Sequence, residues 1–420
     1  MRENYDCVVV GGGPGGCSAA ILLAKSGLSV LLVEREAVPR FHVGESLMPE
    51  TYWVFERLGL LEKMRSSDFI KKESVQFVSS RGRESAPFFF KEHDPRECSQ
   101  TWQVERDKFD EMLFLHAQEK GADCYDQTRV QEVYFDEKED SKEVVKGVLV
   151  KQKGKDPRRI TTKVVVDATG QSAFLANRFK LKVDNPELRN GAIWSYFRGA
   201  VRDEGANGGA TIILHTTDKD SWFWFIPLSD DITSIGVVGE IDYLTKREGS
   251  PEEVFYEELE KCSNLKERLT NTEVVDRFRL TKEFSYTTTK HAGDGWVLVG
   301  DAFGFLDPVY SSGVYFALKM GEMAADAIIE GFEKNDLSGM QLGRWVDEFK
   351  GGMHWTKKLV DVFYNTDFSF GKFMKEHSEH RSNLTDLLIG RAFHNRAGAI
   401  FTDLDKWLVE QKCQKQSMDT

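Results

Sequence analysis

The chain has 420 residues, a formal net charge of −12 and a hydrophobic fraction of 40%. This acidic balance argues against a non-specific nucleic-acid surface, which requires an excess of Lys and Arg, and it favours a small-molecule partner. The mixed pattern of apolar and charged residues argues against disorder, and no apolar run reaches the roughly 18 residues of a membrane-spanning helix.

The amino-terminal sequence "MRENYDCVVVGGG" predicts a polar start followed by a buried strand, and it lacks the apolar middle of a signal peptide. The six cysteines have no CxxC spacing, and the histidines near the carboxyl terminus have no metal-ligand spacing. We therefore expect a cytoplasmic protein with no metal site and no disulfide framework.

The first predicted elements are a strand, a helix and a second strand, in "YDCVVVGGGPGGCSAAILLAKSGLSVLLVERE". The runs Cys7–Val10 and Val30–Val33 are short and β-branched, which is typical of strands buried on both faces, and Ser18–Lys25 between them favours a helix. This order predicts a βαβ unit.

A G-x-G-x-x-G motif joins the first strand to the helix. We expect Gly11 to make the tight turn, Gly13 to let the backbone approach a pyrophosphate, and Gly16 to let the helix pack on the strand. Glu34 ends the second strand about 20 residues further on, where its carboxylate would accept a ribose hydrogen bond. The predicted dinucleotide-binding residues are Gly11, Gly13, Pro14, Gly15, Gly16, Glu34 and Arg35.

Two later predicted strands also end in turns of small residues. One runs into "DATG", with Asp167 and Gly170, and the other, Trp296–Val299, runs into "GDA" with Asp301. Asp301 is placed to accept from a ribityl hydroxyl, and the helix that starts near Gly313 would point its amides at the pyrimidine edge of a flavin. These turns favour FAD as the dinucleotide.

The aromatic stretch "WFWFIP" predicts a strand, which a turn joins to the returning strand "ITSIGVV". Alternation puts Trp222, Trp224 and Ile226 on one face, and Pro227 ends the strand. Alternation leaves open whether this face is ordinary core or a wall beside the cofactor. With "VQFVSS", "APFFF", "AIWSYFRGA" and "GATIILHT", it predicts an antiparallel sheet over the flavin ring.

The predicted fold class is α/β: a Rossmann-like FAD-binding domain, an antiparallel β-sheet substrate domain and a C-terminal helical region. We place the FAD-binding domain in residues 1–74, 101–190 and 285–350, the substrate sheet in 75–100 and 191–284, and the helical region in 351–420.

The order "GGGPGG", "DATG", "GDA" resembles the FAD fold shared by aromatic hydroxylases, geranylgeranyl reductases and flavin-dependent halogenases. The segment "VERDKFD" is similar to one in which this superfamily places an arginine near FAD, which implies that role for Arg106. Because one complete dinucleotide fingerprint is present, the resemblance implies that the protein holds FAD. Electrons would then come from a visiting nicotinamide or a separate flavin reductase.

Further segments resemble the flavin-dependent halogenases. "VGES" is similar to their flavin loop, which implies cofactor contacts for Gly44, Glu45 and Ser46. "KKESVQF" resembles the segment that carries their catalytic lysine, which falls on Lys72, with Lys71 as the neighbouring alternative.

Two more segments carry the same resemblance. "WFWFIP" matches the family motif W-x-W-x-I-P in full, which implies that Trp222 and Trp224 suppress monooxygenation of the substrate. "FLDPVYSSG" resembles F-x-x-P-x-x-S-x-G, which implies that the amides of Ser312 and Gly313 contact halide beside the flavin. Tryptophan halogenases carry a glutamate where this chain has Tyr310, so the resemblance favours the phenol- and pyrrole-type branch.

The resemblance implies that reduced FAD, oxygen and halide give hypohalous acid, which a lysine receives before an electron-rich aromatic is halogenated. Some members of this branch act on aromatics tethered to a carrier protein. An FAD-dependent monooxygenase and a geranylgeranyl-reductase-like isoprenoid reductase are alternatives on the same fold, and a flavin-binding protein without chemistry is a third.

Overall fold

The computed structural model describes residues 1–137, 143–246, 248–365, 368, 370–394 and 396–418. The strands, in chain order, are β1 (Asn4–Val10), β2 (Val30–Val33), β3 (Ile70–Lys72), β4 (Ser74–Val78), β5 (Phe88–Phe89), β6 (Thr101–Gln103), β7 (Asp123–Tyr125), β8 (Thr128–Glu137), β9 (Glu143–Gln152), β10 (Arg158–Asp167), β11 (Lys182–Arg198), β12 (Thr211–His215), β13 (Ser221–Pro227), β14 (Ile232–Glu240), β15 (Glu273–Val274), β16 (Arg279–Thr288), β17 (Ala292–Gly293), β18 (Trp296–Leu298) and β19 (Gly304–Phe305).

The α-helices, in chain order, are α1 (Pro14–Lys25), α2 (Thr51–Leu58), α3 (Leu61–Arg65), α4 (Phe90–His93), α5 (Arg106–Glu119), α6 (Phe174–Arg178), α7 (Ile241–Thr245), α8 (Pro251–Leu259), α9 (Ser263–Arg268), α10 (Ser312–Lys334), α11 (Gly339–Leu342), α12 (Val346–Phe363), α13 (Phe370–Glu376), α14 (Arg381–Ile389) and α15 (Ala399–Met418). Within the described ranges, none of them is long and apolar enough to cross a membrane.

The first sheet is the one that the βαβ unit predicts. Six of its eight strands lie in the order β17-β18-β10-β1-β2-β7, and β9 pairs with both β10 and β8 off this path. Strand β1 pairs in parallel with both β10 and β2. The carboxyl ends of these parallel strands meet at one edge, where ligands bind in open α/β sheets. Helices α1 and α10 cross so closely that a Cβ at Gly321 would lie 2.3 Å from the Gly15 carbonyl oxygen.

The second sheet follows the order β19-β16-β11-β14-β13-β12-β4-β5. Its pairs are antiparallel except for β4 and β12, which run in parallel. The antiparallel substrate sheet of the predicted fold class is therefore confirmed, with this one parallel junction as a detail that the strand patterns did not predict.

The middle strand β13 is buried on both faces. One face, which we call the tryptophan face, consists of Trp222, Trp224 and Ile226 and packs with the C-terminal helices. The other, the phenylalanine face, consists of Phe223 and Phe225 and packs with α8. The alternation predicted from "WFWFIP" is thus the alternation of the structure.

The C-terminal helical region lies against the tryptophan face. Ion pairs also join it to the first half of the chain. Buried side chains of α12, α14 and α15 share one core cluster with β13. The Arg391 guanidinium pairs with Glu50 at 3.1 Å and with Asp94 at 2.5 Å. The division of the chain into three domains at the stated boundaries stays a prediction.

Candidate active site

A cavity of about 320 Å³ lies between the edge of the first sheet and the tryptophan face of the second. The sequence-predicted residues that line it are Gly11, Gly13, Pro14, Gly15, Glu34, Arg35, Gly44, Glu45, Ser46, Arg106, Gly170, Trp222, Trp224, Asp301 and Gly313. Four predicted residues lie off its wall: Gly16, Lys72, Asp167 and Ser312.

The glycine turn at one end of the cavity is packed too tightly for any larger residue. Gly11 has φ +112°, and a Cβ on it would lie 2.2 Å from the Ala168 carbonyl oxygen. A Cβ on Gly16 would lie 2.0 Å from the Gly11 carbonyl oxygen, so the helix start presses directly on the turn. Gly13, Pro14 and Gly15 at the start of α1 line the cavity, and a helix N-terminus of this kind suits a pyrophosphate.

Glu34 stands at the end of β2 and holds the turn. Its carboxylate accepts from the Gly12 amide at 2.9 Å and from the Glu36 amide at 3.0 Å, and it pairs with Arg40 at 3.3 Å. Arg40 also donates to Asp110 at 2.9 Å and lines the cavity. Arg40 was missed at the sequence level because no motif connects it to Glu34 nearby or to Asp110, which lies far from it in the chain.

Arg106 at the start of α5 supports the flavin loop predicted in "VGES". Its guanidinium makes a two-bond pair with Asp110, at 2.8 and 3.0 Å, and donates to the Val43 carbonyl oxygen at 2.6 Å. Burial raises the pKa of Asp110, but the charges of Arg106 and Arg40 outweigh it and hold that pKa below its usual range. The arginine is therefore an anchor for the loop as well as part of the cavity wall.

The two predicted aspartates differ in how their carboxylates are used. Asp167 is fully occupied, accepting from the Thr169 amide and hydroxyl and from the Leu175 amide at 2.7–3.0 Å. Asp301 lines the cavity, and its carboxylate has no hydrogen-bond donor in the part of the chain that the structure describes. Burial raises the pKa of Asp301 to about 6.

These features fit FAD. The unpartnered carboxylate of Asp301 suits a hydroxyl donor such as a ribityl group, and the glycine turn offers bare backbone to a pyrophosphate. Asp167 acts on the turn rather than on the cavity wall, so its predicted cofactor contact stays a prediction.

The loop before α10 places the first turn of that helix at the other end of the cavity. Ser311 lies in the left-handed region, with φ +59°, and α10 begins at Ser312. A Cβ on Gly313 would meet no atom within 4 Å, so the space beside this residue is open. The long helix behind it gives the site a positive end that suits a halide.

The same loop is tied to the C-terminal helical region through Asp307. Its buried carboxylate accepts from Asn190 at 2.7 Å and from the Tyr364 hydroxyl at 2.9 Å. The Tyr364 oxygen in turn accepts from the Trp222 indole at 3.1 Å. The loop before α10, the tryptophan face and the end of α12 therefore share one hydrogen-bonded chain.

Lys72 lies next to the cavity in a buried position. Its ammonium donates to the Ser46 hydroxyl at 2.8 Å and to the Leu47 carbonyl oxygen at 3.0 Å, and no carboxylate contacts it among the described residues. Burial lowers the pKa of Lys72 to about 7. Lys71 is exposed, so of the two neighbouring lysines it is Lys72 that lies buried behind the cavity wall.

The tryptophan face closes the cavity with rings whose N–H groups are already used. Trp222 donates to Tyr364 and Trp224 donates to Ser234 at 3.1 Å. With Ile226 they present an apolar wall whose polar edges point away from an incoming ligand. The face is therefore packed core on its outer side and cavity wall on its inner side, and its role beside the flavin stays a prediction.

Comparison with known proteins gives a consistent family. The family model described as "FAD binding domain" matches residues 4–320. The chain is 31% identical to the 1H-pyrrole-2-carbonyl-[peptidyl-carrier protein] chlorinase of Pseudomonas fluorescens, over 94% of this chain and 91% of that protein. It is 33% identical to the corresponding brominase of Pseudoalteromonas luteoviolacea, over 93% of both proteins.

Among solved structures, that of the flavin-dependent brominase Bmp2 is similar with a TM-score of 0.85 at 31% identity. The match covers 97% of this chain and 100% of that one. The similarity therefore extends through the C-terminal helical region, beyond the segment that the family model matches.

Proposed function

Because the chain belongs to the flavin-dependent halogenases, we propose that it halogenates a pyrrole-2-carbonyl group, or a similar electron-rich ring, carried by a peptidyl-carrier protein. The chain is an FAD-dependent enzyme, and its resemblance to the halogenases is confirmed. The carrier-bound substrate is the finer part of the proposal. It draws on what the two bacterial relatives act on.

The observation that carries the proposal is the position of Lys72. Its amine is buried one hydrogen bond from the cavity wall, and its pKa of about 7 lets it hold or release a proton near neutrality. FAD held by the glycine turn and the Asp301 carboxylate would, when reduced, supply the electrons with which oxygen and halide give hypohalous acid. A lysine behind the cavity wall can supply a proton toward this oxidant.

The step assigned to Lys72 balances as an electrophilic substitution. The halogen of hypohalous acid bonds to a ring carbon, and the ring loses the hydrogen of that carbon as a proton. The oxygen leaves as water with the proton that Lys72 supplies, and the ring proton restores the ammonium. Lys72 acts as a general acid and then as a base, a role that contributes about 10²–10⁴-fold in rate.

Aromatic side chains follow Lys72 in the chain and belong to one core cluster. The next strand, β4, carries Phe77, whose ring lies 6.0 Å from that of Phe88 and 6.3 Å from that of Phe370. Tyr310 is buried against Phe363, with ring centroids 6.0 Å apart, in the same cluster. We propose that rings of this cluster stack on a flat, electron-rich substrate.

The proposal includes two further partners and a location. Halide would bind at the start of α10, by the open space at Gly313, and a separate flavin reductase would supply reduced FAD. We also propose a cytoplasmic location, which the unpaired and mostly buried cysteines support because they need no oxidising compartment.

The experiment supplies purified protein with a flavin reductase, NADH, FAD, oxygen and chloride or bromide. It compares pyrrole-2-carbonyl bound to a carrier protein, free pyrrole-2-carboxylate and free tryptophan, with the product read by mass spectrometry. We expect a halide-dependent exchange of hydrogen for halogen on the carrier-bound ring. Equal turnover of the free acid would refute the tethered substrate, and a hydroxylated product formed without halide would refute halogenation.

Two adjacent lysines provide a matched control for the residue assignment. Lys72→Met should lower halogenation by about 10²-fold or more, because it removes the proton carrier. Lys71→Met changes an exposed side chain on the same strand and should leave halogenation intact. Full activity in Lys72→Met would show that another group does this work.

A further inference from the structure

We propose that Thr211, oriented by Gln103, is a positioning residue that forms a hydroxyl pair with Ser46, and that protons pass between Lys72 and the oxidant through this pair. The inference rests on the proposed function of Lys72 and adds the route by which that lysine is reached.

The four side chains form one buried chain of hydrogen bonds. The Ser46 hydroxyl lies 2.8 Å from the Lys72 ammonium and 2.8 Å from the Thr211 hydroxyl. The Gln103 side-chain nitrogen donates to Thr211 at 2.9 Å and to the Gly209 carbonyl oxygen at 3.0 Å. All four side chains are less than 5% exposed.

Two members of the chain face the cavity and two do not. Ser46 and Thr211 are part of the cavity lining, while Lys72 and Gln103 lie behind them. An oxidant that forms in the cavity therefore meets the two hydroxyl-bearing residues before it meets the lysine.

The orientation of the Gln103 amide is fixed by Gly209. A backbone carbonyl oxygen can only accept, so the side-chain nitrogen of Gln103 must face it, and the same nitrogen then donates to Thr211. The side-chain oxygen of Gln103 is buried with no partner among the described residues. Burying this unpaired oxygen costs stability. The two bonds that the amide nitrogen donates, to Gly209 and Thr211, must therefore offset that cost.

This orientation of the Gln103 amide leaves one hydroxyl hydrogen of the pair without an acceptor among these four side chains. Ser46 accepts from Lys72 and Thr211 accepts from Gln103, and one of the two hydroxyls donates to the other. One hydroxyl hydrogen of the pair is therefore left over, on a residue that lines the cavity. This hydrogen is available to the oxygen of an arriving oxidant.

The pair can relay a proton without a change of position. With Ser46 as the donor of the pair, the Lys72 ammonium passes a proton to the Ser46 oxygen, the Ser46 hydrogen passes to the Thr211 oxygen, and the leftover Thr211 hydrogen passes to the oxygen that leaves as water. The ring proton released in the substitution returns to the neutral amine by the same three transfers in reverse. Each hydroxyl gains one hydrogen and loses one in each direction, so the pair ends as it began.

The backbone holds the two ends of this chain in register. A Cβ on Gly209 would lie 2.0 Å from the Lys71 carbonyl oxygen, so the strand that carries Lys72 presses directly on the segment that leads into Thr211. The position of Lys72 relative to Thr211 is therefore set by backbone contact and not by the side chains alone.

The test compares Thr211→Val with Thr211→Ser. Valine keeps the shape of threonine and removes the hydroxyl, while serine keeps the hydroxyl. We expect Thr211→Val to lower halogenated product roughly 10-fold or more and to raise the ratio of hypohalous acid trapped in solution to product. Thr211→Ser should restore most of the product. Gln103→Met should act in the same direction as Thr211→Val, because it frees Thr211 to turn.

A second measurement uses the flavin-free protein and follows the Lys72 Cε by NMR as pH is varied, with Lys72→Met identifying the signal. Without the Thr211 oxygen, the Ser46 hydrogen turns to the lone pair of the neutral amine and stabilises that form. The titration midpoint should then fall by about half a pH unit or more in Thr211→Val and stay in Thr211→Ser.

An unchanged product yield and an unchanged midpoint in Thr211→Val would overturn the inference. If the wild-type protein forms neither hypohalous acid nor product, the proposed function has failed, and the midpoint still decides whether Thr211 is coupled to Lys72. Melting temperatures of both variants establish that valine has not unfolded the strand.

Discussion

The two faces of β13 differ in what their burial achieves. Phe223 and Phe225 are almost completely buried, and Phe223 packs edge-on against Phe255 of α8 with ring centroids 5.4 Å apart. Trp222 and Trp224 are nearly as buried, but they line a cavity and bond through their N–H groups to Tyr364 and Ser234. Burial alone therefore does not separate a residue that only packs the core from one that also lines the cavity. The neighbours on each side of the strand do.

The largest effect should come from the packed side of the strand. Phe223→Ala removes a fully buried ring and leaves a cavity, so it should lower the free energy of unfolding by about 3–5 kcal/mol. Urea denaturation of the purified protein measures this change. A loss below about 1 kcal/mol would mean that the phenylalanine face is not the structural face.

An opposite effect is expected beside the cavity, where a buried charge opposes folding. Lys72 has a pKa of about 7 in the fold, far below that of an unfolded lysine, so the unfolded chain binds more protons between pH 7 and about 10. The buried charge of Lys72 therefore lowers the free energy of unfolding below pH 7, and this loss becomes smaller as pH rises toward about 10. Lys72→Met should raise the free energy of unfolding at pH 6 by roughly 2–3 kcal/mol, and by much less at pH 10.

Denaturation of both proteins across this range provides the check, with the exposed Lys71→Met as the matched control. A gain in stability that is equal at pH 6 and pH 10 would show that the lysine is not buried as a charge.

The smallest effect should come from the tryptophan face. Trp222→Phe keeps an aromatic ring and removes the N–H bond to Tyr364, so the free energy of unfolding should fall by about 1 kcal/mol. Because the wall loses its fixed position, a larger share of the oxygen consumed should appear as hydrogen peroxide instead of halogenated product. If stability falls as far as in Phe223→Ala, the two faces are equivalent and the contrast between them is wrong.

Much of the fold could be predicted from short, local sequence patterns. The turn at Gly11, the close packing at Gly16 and the alternation through Trp222 and Trp224 are consequences of backbone sterics and strand geometry, which short sequences express directly. The helical nature of the C-terminal region is expressed in the same local way.

The rest of the site depends on pairs that are distant in the chain. Which of Lys71 and Lys72 is buried depends on the pairing of β3 with β6, which sets the side on which each lysine lies. Thr211 forms a hydrogen bond with Ser46, which lies 165 positions away in the chain, and no sequence motif contains both residues. Arg40 and Gln103 were missed for the same reason, since a single arginine or glutamine in a loop or strand carries no signal of its partner.

The hydroxyl of Tyr364 makes the C-terminal helical region part of the electrostatic environment of the loop before α10. It is one of the donors to the buried carboxylate of Asp307, and burial raises the pKa of that group while the Asn190 and Tyr364 bonds oppose the rise. A C-terminal segment grafted from a relative therefore brings or removes a donor to this carboxylate. A graft without a phenol at position 364 would raise the pKa of Asp307 further, so a change in the C-terminal helices also changes the charge of the loop before α10.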